Sequence, residues 1–239
     1  MYRRNGIMAW GLGLLISTGS MLADPAPARG QSPSTDVLIV GDSIMQAVSR
    51  SLERQLGRRT GFNAASYTHI GSGLARLDLF DWHEQIQTLM GQRRPGLVLV
   101  MMGANDNQPM RTNQGQQVQV GSREWEEEYA RRAGKAMDIM LSGGARQIHW
   151  LELPDMRDSQ LQRDVTTINR LVQTEADKRT QVTFQTTRSL LSRSAGQYSP
   201  YIIQSNGMPL DIRARDGVHL NRQGADFLAE RIIDRIWGS

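Results

Sequence analysis

Residues Gly96 to Met102 read GLVLVMM, seven consecutive positions without one polar side chain. An extended segment that is apolar on both faces is satisfied only where both faces are covered, at the centre of a sheet lying between layers of helix. The rest of the chain follows that lead. Asp36 to Gly41 (DVLIVG) reads as a second buried strand, and the apolar positions Ile44, Val48, Leu52 and Leu56 then recur every four residues until Gly57 closes a helix. Phe62 to Thr68 is a weaker strand, followed by the glycine loop Gly71-Ser72-Gly73 and a helical pattern through Trp82, Ile86, Leu89 and Met90.

A further helix is expected from Arg123 to Leu141, capped by Ser122 and ended by Gly143-Gly144, with Trp125, Tyr129, Ala133, Ala136, Met137 and Met140 on one face. Glu124, Glu126, Glu127 and Glu128 suit the positive end of that helix, and Glu127 with Arg131 and Glu128 with Arg132 are spaced as i,i+4 pairs. Arg146 to Leu153 alternates as a strand, a helix follows around Val165 to Asp177, and Val182 to Thr187 reads as another short strand. Asn221 caps a last helix carrying Ala225, Leu228, Ile232 and Ile236. Strand and helix thus alternate about five times, which predicts a parallel sheet with helices on both faces in a single domain spanning 36–239.

In open sheets of this kind reactive groups collect beyond the carboxyl ends of the strands. Gly41-Asp42-Ser43, the glycine loop and Gly103-Ala104-Asn105-Asp106 all follow strand candidates, so one rim is expected to hold all three. Ser43 has two readings, a helix cap at a strand-to-helix turn or a nucleophile. A serine nucleophile needs a histidine base, a carboxylate that orients the imidazole, and N–H donors for the oxyanion. Of the four histidines, His149 lies in a strand pattern, His83 sits on a helix beside Trp82, and His69 precedes the glycine loop and is placed to line the site. His219 is different, because Asp216-Gly217-Val218-His219 puts a carboxylate three residues before an imidazole, just ahead of the last helix. Asn105 is a candidate oxyanion donor through its side-chain amide, with the backbone N–H of Ser43 and of Gly71 or Gly73 completing the hole.

Other chemistries find no support. There are no cysteines, which removes disulfides, thiolate nucleophiles and Cys-based zinc sites together. No phosphate-binding G-x-x-x-x-G-K-[ST], no complete dinucleotide fingerprint, no G-x-S-x-G elbow and no H-E-x-x-H pair occurs, so neither a metal nor a cofactor is expected. The net charge of +4 includes Arg3 and Arg4, without which it is +2, and the arginines are scattered, so no nucleic-acid partner is expected.

The N-terminus has the layout of a secretory signal peptide. Arg3 and Arg4 precede an uncharged, largely apolar run from Ile7 to Ala23, and a polar, proline-rich linker covers 24–35. Cleavage is expected after Ala23 or, within Ala26-Pro27-Ala28, after Ala28. The alternative is a retained anchor, but the run is short for a span of roughly 20 residues and is interrupted by glycines. A periplasmic or secreted protein with no membrane span after cleavage is the expectation.

Taken in order, the GDS turn, the glycine loop, the G-x-N-D turn and the D-x-x-H pair resemble the four blocks of the SGNH (GDSL-type) hydrolases. Gly41-Asp42-Ser43, Gly71 or Gly73, Gly103 to Asp106, and Asp216 with His219 carry the resemblance, which covers almost all of the chain after the linker. The stretch GSGLARLDLFDW and the DGVHL block look like a bacterial subgroup of that family formerly known only as a domain of unknown function. The first block reads GDSIMQ rather than GDSL, and in the second block Gly73 is the preferred donor over Gly71. The resemblance implies a flavodoxin-like three-layer α/β/α fold and a metal-free esterase in which Ser43, His219 and Asp216 act together. Export makes O-acetyl esters of an extracellular or envelope polysaccharide, as in cellulose or exopolysaccharide production, the expected substrate, with polysaccharide-synthesis or acyltransferase proteins as possible partners. A polysaccharide O-acyltransferase of the same fold, and a non-catalytic glycan-binding or assembly factor, are the alternatives. The segment from Ser194 to Arg215, with Tyr198, Tyr201, Arg213 and Arg215, is either a sugar-binding loop or ordinary surface.

Overall fold

The computed structural model describes residues 35–192, 194 and 196–238; the expected signal segment and almost all of the linker lie outside them. Five strands form one sheet: β1 (Thr35–Gly41), β2 (Phe62–Thr68), β3 (Leu97–Met101), β6 (Gln147–Leu151) and β7 (Val182–Gln185). Their order is β2-β1-β3-β6-β7 and every pairing is parallel. The all-apolar strand β3 is the central one, and each of its residues is buried, as its composition requires.

Helices cover both faces. On one, α1 (Ser43–Leu56) packs against α6 (Arg222–Trp237); on the other, α2 (Trp82–Arg93), α3 (Arg123–Ser142) and α4 (Ser159–Ala176) lie side by side. Between these elements are two small hairpins, β4 (Met110–Arg111) with β5 (Gln117–Val118) and β8 (Tyr201–Ile203) with β9 (Pro209–Asp211), and the single turn α5 (Arg188–Leu191). Among the described residues no helix is long and apolar enough to cross a membrane.

Several elements differ from their sequence expectation for identifiable reasons. Helix α4 starts at Ser159 rather than near Val165, because Asp158 accepts from the N–H groups of Gln160 and Leu161 and its first turns are polar. Strand β6 does not alternate: Ile148 to Leu151 are all buried, since it lies inside the sheet and helices cover both of the sheet's faces. Ser43 is not a cap. Asp42 is the N-cap of α1 and Ser43 is its first helical residue. Glu127 pairs with Arg123 at 2.7 Å instead of with Arg131, while the Glu128–Arg132 pair forms at 2.7 Å and is buried.

The sheet order also locates the rim that matters. From β1 the chain moves outward to β2, then returns to place β3 on the other side of β1. The loops leaving β1 and β3 therefore diverge, and the crevice between them opens at their carboxyl ends.

Candidate active site

Strand β1 ends at Gly41 because nothing larger fits. A Cβ there would stand 2.0 Å from the Met101 carbonyl oxygen and 2.6 Å from the Met45 Cβ. This close approach brings the start of α1 against the end of β3. Asp42, fully buried, then ties the two loops together: one carboxylate oxygen caps α1 by accepting from Ile44 N–H at 2.8 Å, and the other accepts from Gly103 N–H at 2.9 Å and Ala104 N–H at 3.1 Å. Burial pushes its pKa from 3.8 up to about 6, against the opposing pull of those N–H donors.

Ser43 stands half-buried at the first turn of α1, with its Oγ 2.8 Å from His219 Nε2. His219 Nδ1 lies 2.7 Å from one oxygen of Asp216, whose other oxygen accepts from the N–H groups of Val218 and His219 at 2.8 and 3.0 Å. Burial acts to raise the Asp216 pKa, but these backbone donors and the imidazole outweigh it and bring it to about 2. An ionised Asp216 keeps the ring proton on Nδ1 and leaves Nε2 free to accept from Ser43 O–H. Gly217, at φ 78°, makes the tight turn between acid and base. Arg157, from the loop after β6, braces that turn by donating its N–H to Gly217 O at 3.0 Å and its guanidinium to Arg215 O at 2.8 Å.

The glycine loop is fastened to the end of β3 by a second buried aspartate. Asp106 accepts from Leu74 N–H at 2.9 Å, Ala75 N–H at 2.8 Å and the Tyr129 hydroxyl at 2.8 Å. Burial raises its pKa, and burial beside it lifts that of Tyr129 well above the ordinary phenol value. Gly73 is wedged here, since a Cβ would sit 2.0 Å from an Asp106 oxygen. Gly71 is exposed with open space around it, and its glycine requirement is a φ of 72°. Asn105 donates one amide hydrogen to Ser72 O at 3.0 Å, beside Gly73. Ser72 is itself held by its hydroxyl, which donates to His69 O at 2.6 Å and accepts from Trp82 Nε1 at 2.9 Å.

From the other side Arg132 clamps the same loop. Its guanidinium donates to Leu74 O at 2.7 Å, Ala75 O at 2.9 Å and Arg111 O, and is neutralised by Glu128 at 2.7 Å. Burial would raise the Glu128 pKa, but bonds from Arg131 and Arg132 hold it below the usual range. Asp42, Asp106, Tyr129 and the Glu128–Arg132 pair were not apparent as parts of the site from sequence. Helical spacing held a clue for the last, because Glu128 and Arg132 precede Tyr129 and Ala133 by one position each and so border the buried face of α3.

Among the described residues no other histidine is hydrogen-bonded to Ser43, Asp216 or His219, although His69 N–H donates to Gly41 O at 3.0 Å. His149 is buried in β6 against Gln185, and His83 is buried with Nε2 2.9 Å from Arg132 O; burial lowers both pKa values. His69 follows β2 and stacks on Phe80 with ring centroids 4.0 Å apart. Among the described residues no group of three or more His, Asp or Glu side chains is arranged to hold a metal ion.

A five-stranded parallel sheet in this order, with these loops on its rim, is the fold of the SGNH hydrolases. A protein from Slackia heliotrinireducens described as an SGNH hydrolase superposes with a TM-score of 0.56 at 14% identity, over 85% of this chain and 99% of that one. A Streptococcus pneumonia protein described as a platelet activating factor gives 0.55 at 14% identity, over 87% of both chains. The C-terminal catalytic domain of Streptococcus pneumoniae peptidoglycan O-acetyltransferase A gives 0.50 at 12% identity, over 87% and 95%. Residues 36–235 match the model of the family described as "Protein of unknown function (DUF459)", and the chain belongs to that family. A comparison with curated proteins gives no match.

Proposed function

We propose that this chain is a serine esterase that hydrolyses O-acyl esters. The observation that carries this reading is the continuous relay from Ser43 Oγ to His219 Nε2 at 2.8 Å and from His219 Nδ1 to Asp216 at 2.7 Å, at the switch point of the sheet. In the first half-reaction Ser43 Oγ bonds to the acyl carbon while its proton passes to Nε2. The tetrahedral intermediate collapses, and the departing alcohol takes that proton. In the second, water attacks the acyl-enzyme, gives its proton to Nε2, and the carboxylic acid leaves as Ser43 regains its hydrogen.

The negative oxygen needs donors in place before it forms. Ser43 N–H, at the positive end of α1, is one. Asn105 spends one amide hydrogen on Ser72 O and retains the second, and Gly73 rather than Gly71 is the third, because Gly73 is the glycine packed against the GAND loop. The substrate assigned is an O-acetyl ester on an extracellular or envelope polysaccharide, with the protein exported through its N-terminal segment.

Hydrolysis of 4-nitrophenyl acetate and labelling by a fluorophosphonate probe test the reading together. Both are expected in the native protein and absent in Ser43→Ala. An unlabelled native protein would overturn the esterase in favour of a non-catalytic glycan-binding or assembly factor. Faster acyl-enzyme turnover with an oligosaccharide present, with acyl groups recovered on the sugar, would make the protein an O-acyltransferase instead.

A further inference from the structure

The side of the molecule formed by α5, the β8–β9 hairpin and α6 holds an open cavity of about 840 Å³ that contains neither Ser43 nor His219. Seven of its lining side chains are serines or glutamines, among them Gln197 and Gln204, and Tyr198 and Tyr201 add aromatic surface. Among the described lining residues the charged ones are Glu230 and Arg231, which lie 3.7 Å apart.

That composition selects a chemistry. Among the described lining residues an anionic ligand finds no net positive charge; Leu190, Ile202, Ile203 and Phe227 add apolar wall, but an acyl chain would still strip water from the more numerous hydroxyl and amide groups without replacing their hydrogen bonds. A neutral sugar chain satisfies both kinds of wall, its hydroxyls meeting serine and glutamine and its C–H faces lying on tyrosine. The cavity is also wired to the catalytic turn. The Arg213 guanidinium lies 4.9 Å from the Tyr198 ring centre, Arg213 bridges to Leu220, and Ala214 N–H donates to His219 O at 2.9 Å.

We propose that this cavity binds a neutral stretch of glycan and so holds the polysaccharide whose acyl group reaches Ser43. This rests on the esterase reading and adds to it a holding site and the neutral character of the polysaccharide. The test is calorimetric titration of the native protein with cellotetraose, maltotetraose and mannotetraose, with tetragalacturonate and octanoate as the charged and acyl comparisons. At least one neutral tetrasaccharide is expected to bind with a Kd of about 1 mM or tighter. Tyr201→Ala with Gln204→Ala, at exposed positions and checked for an unchanged melting temperature, should weaken that binding about tenfold or more, about 1.4 kcal/mol. The single variant Gln204→Ala should weaken it in the same direction. No binding by any neutral tetrasaccharide, tighter binding of tetragalacturonate or octanoate, or binding indifferent to both variants would overturn the proposal. Because binding is read without turnover, a native protein that binds sugar but leaves 4-nitrophenyl acetate uncleaved would sink the esterase reading alone.

Discussion

At the scale of single residues, two buried aspartates organise a site whose reacting groups are themselves only half-buried. Asn105 anchors to Ser72 with one amide hydrogen, and on the esterase reading the other is kept for the oxyanion. Asn105→Ala is expected to lower kcat on 4-nitrophenyl acetate by about two to three orders of magnitude, the usual cost of about 2.7–4 kcal/mol for one lost oxyanion donor. Unchanged kcat would remove Asn105 from the hole. Asp42 makes a prediction of opposite kind, about stability. Its folded pKa of about 6 exceeds its ordinary 3.8, so the folded protein holds this proton to higher pH than the unfolded chain does. Its contribution therefore favours the fold at low pH and is lost as pH rises from about 4 to about 6, by about 3 kcal/mol at most. Asp42→Asn should abolish that part of the pH dependence in chemical denaturation; its amide oxygen can still cap α1, but its NH2 group leaves the Gly103 and Ala104 N–H groups without their acceptor, at a cost of about 1–3 kcal/mol. A wild-type stability curve indistinguishable in shape from that of the variant would refute this account.

At the scale of elements, the glycine loop is the piece whose placement is most over-determined, held by Asp106 from below and Arg132 from the side. The two glycines should answer differently to a methyl group. Gly73→Ala must push Asp106 aside, and at least a hundredfold loss of ester hydrolysis is expected, since one lost donor alone costs about that much. Gly71→Ala meets open space and is expected to cost about 1 kcal/mol of stability from its positive φ, with activity within a few-fold of wild type. Reversal of that order in the measured rates would make Gly71 the donor. Elements were legible in the sequence where a period ran long enough: α1, β2 and β3 fall where their patterns put them. The β4–β5 and β8–β9 hairpins were not, because strands of two or three residues carry no period. Asp42 and Asp106 escaped for another reason. A carboxylate that gathers backbone N–H groups from distant loops is spelled like an ordinary turn residue, and only the fold reveals its partners. Ser43, Asp216 and His219 could be picked out because their residue types have few other reasons to occur in that order.

At the scale of the whole molecule, the site is assembled from the two ends of the fold. Ser43 and His219 are separated by 176 positions, and what carries one to the other is the packing of α1 on α6, reinforced by Ser51 and Arg54, which both bond to Asp226. A chain ending after Arg222 retains Ser43, Asp216 and His219 but leaves Ser51, Arg54 and Gln55 of α1 without Asp226 and α1 without the helix it packs on. It is expected to lose native circular dichroism and ester hydrolysis together, and wild-type turnover by that truncation would show that α6 does not hold His219 in place. The same separation sets a timetable. During synthesis Ser43 emerges long before His219, and for most of that time it has no base beside it. On the esterase reading, chemical reactivity arrives only when the last helix folds onto α1, so an incomplete chain carries the nucleophile without the means to use it.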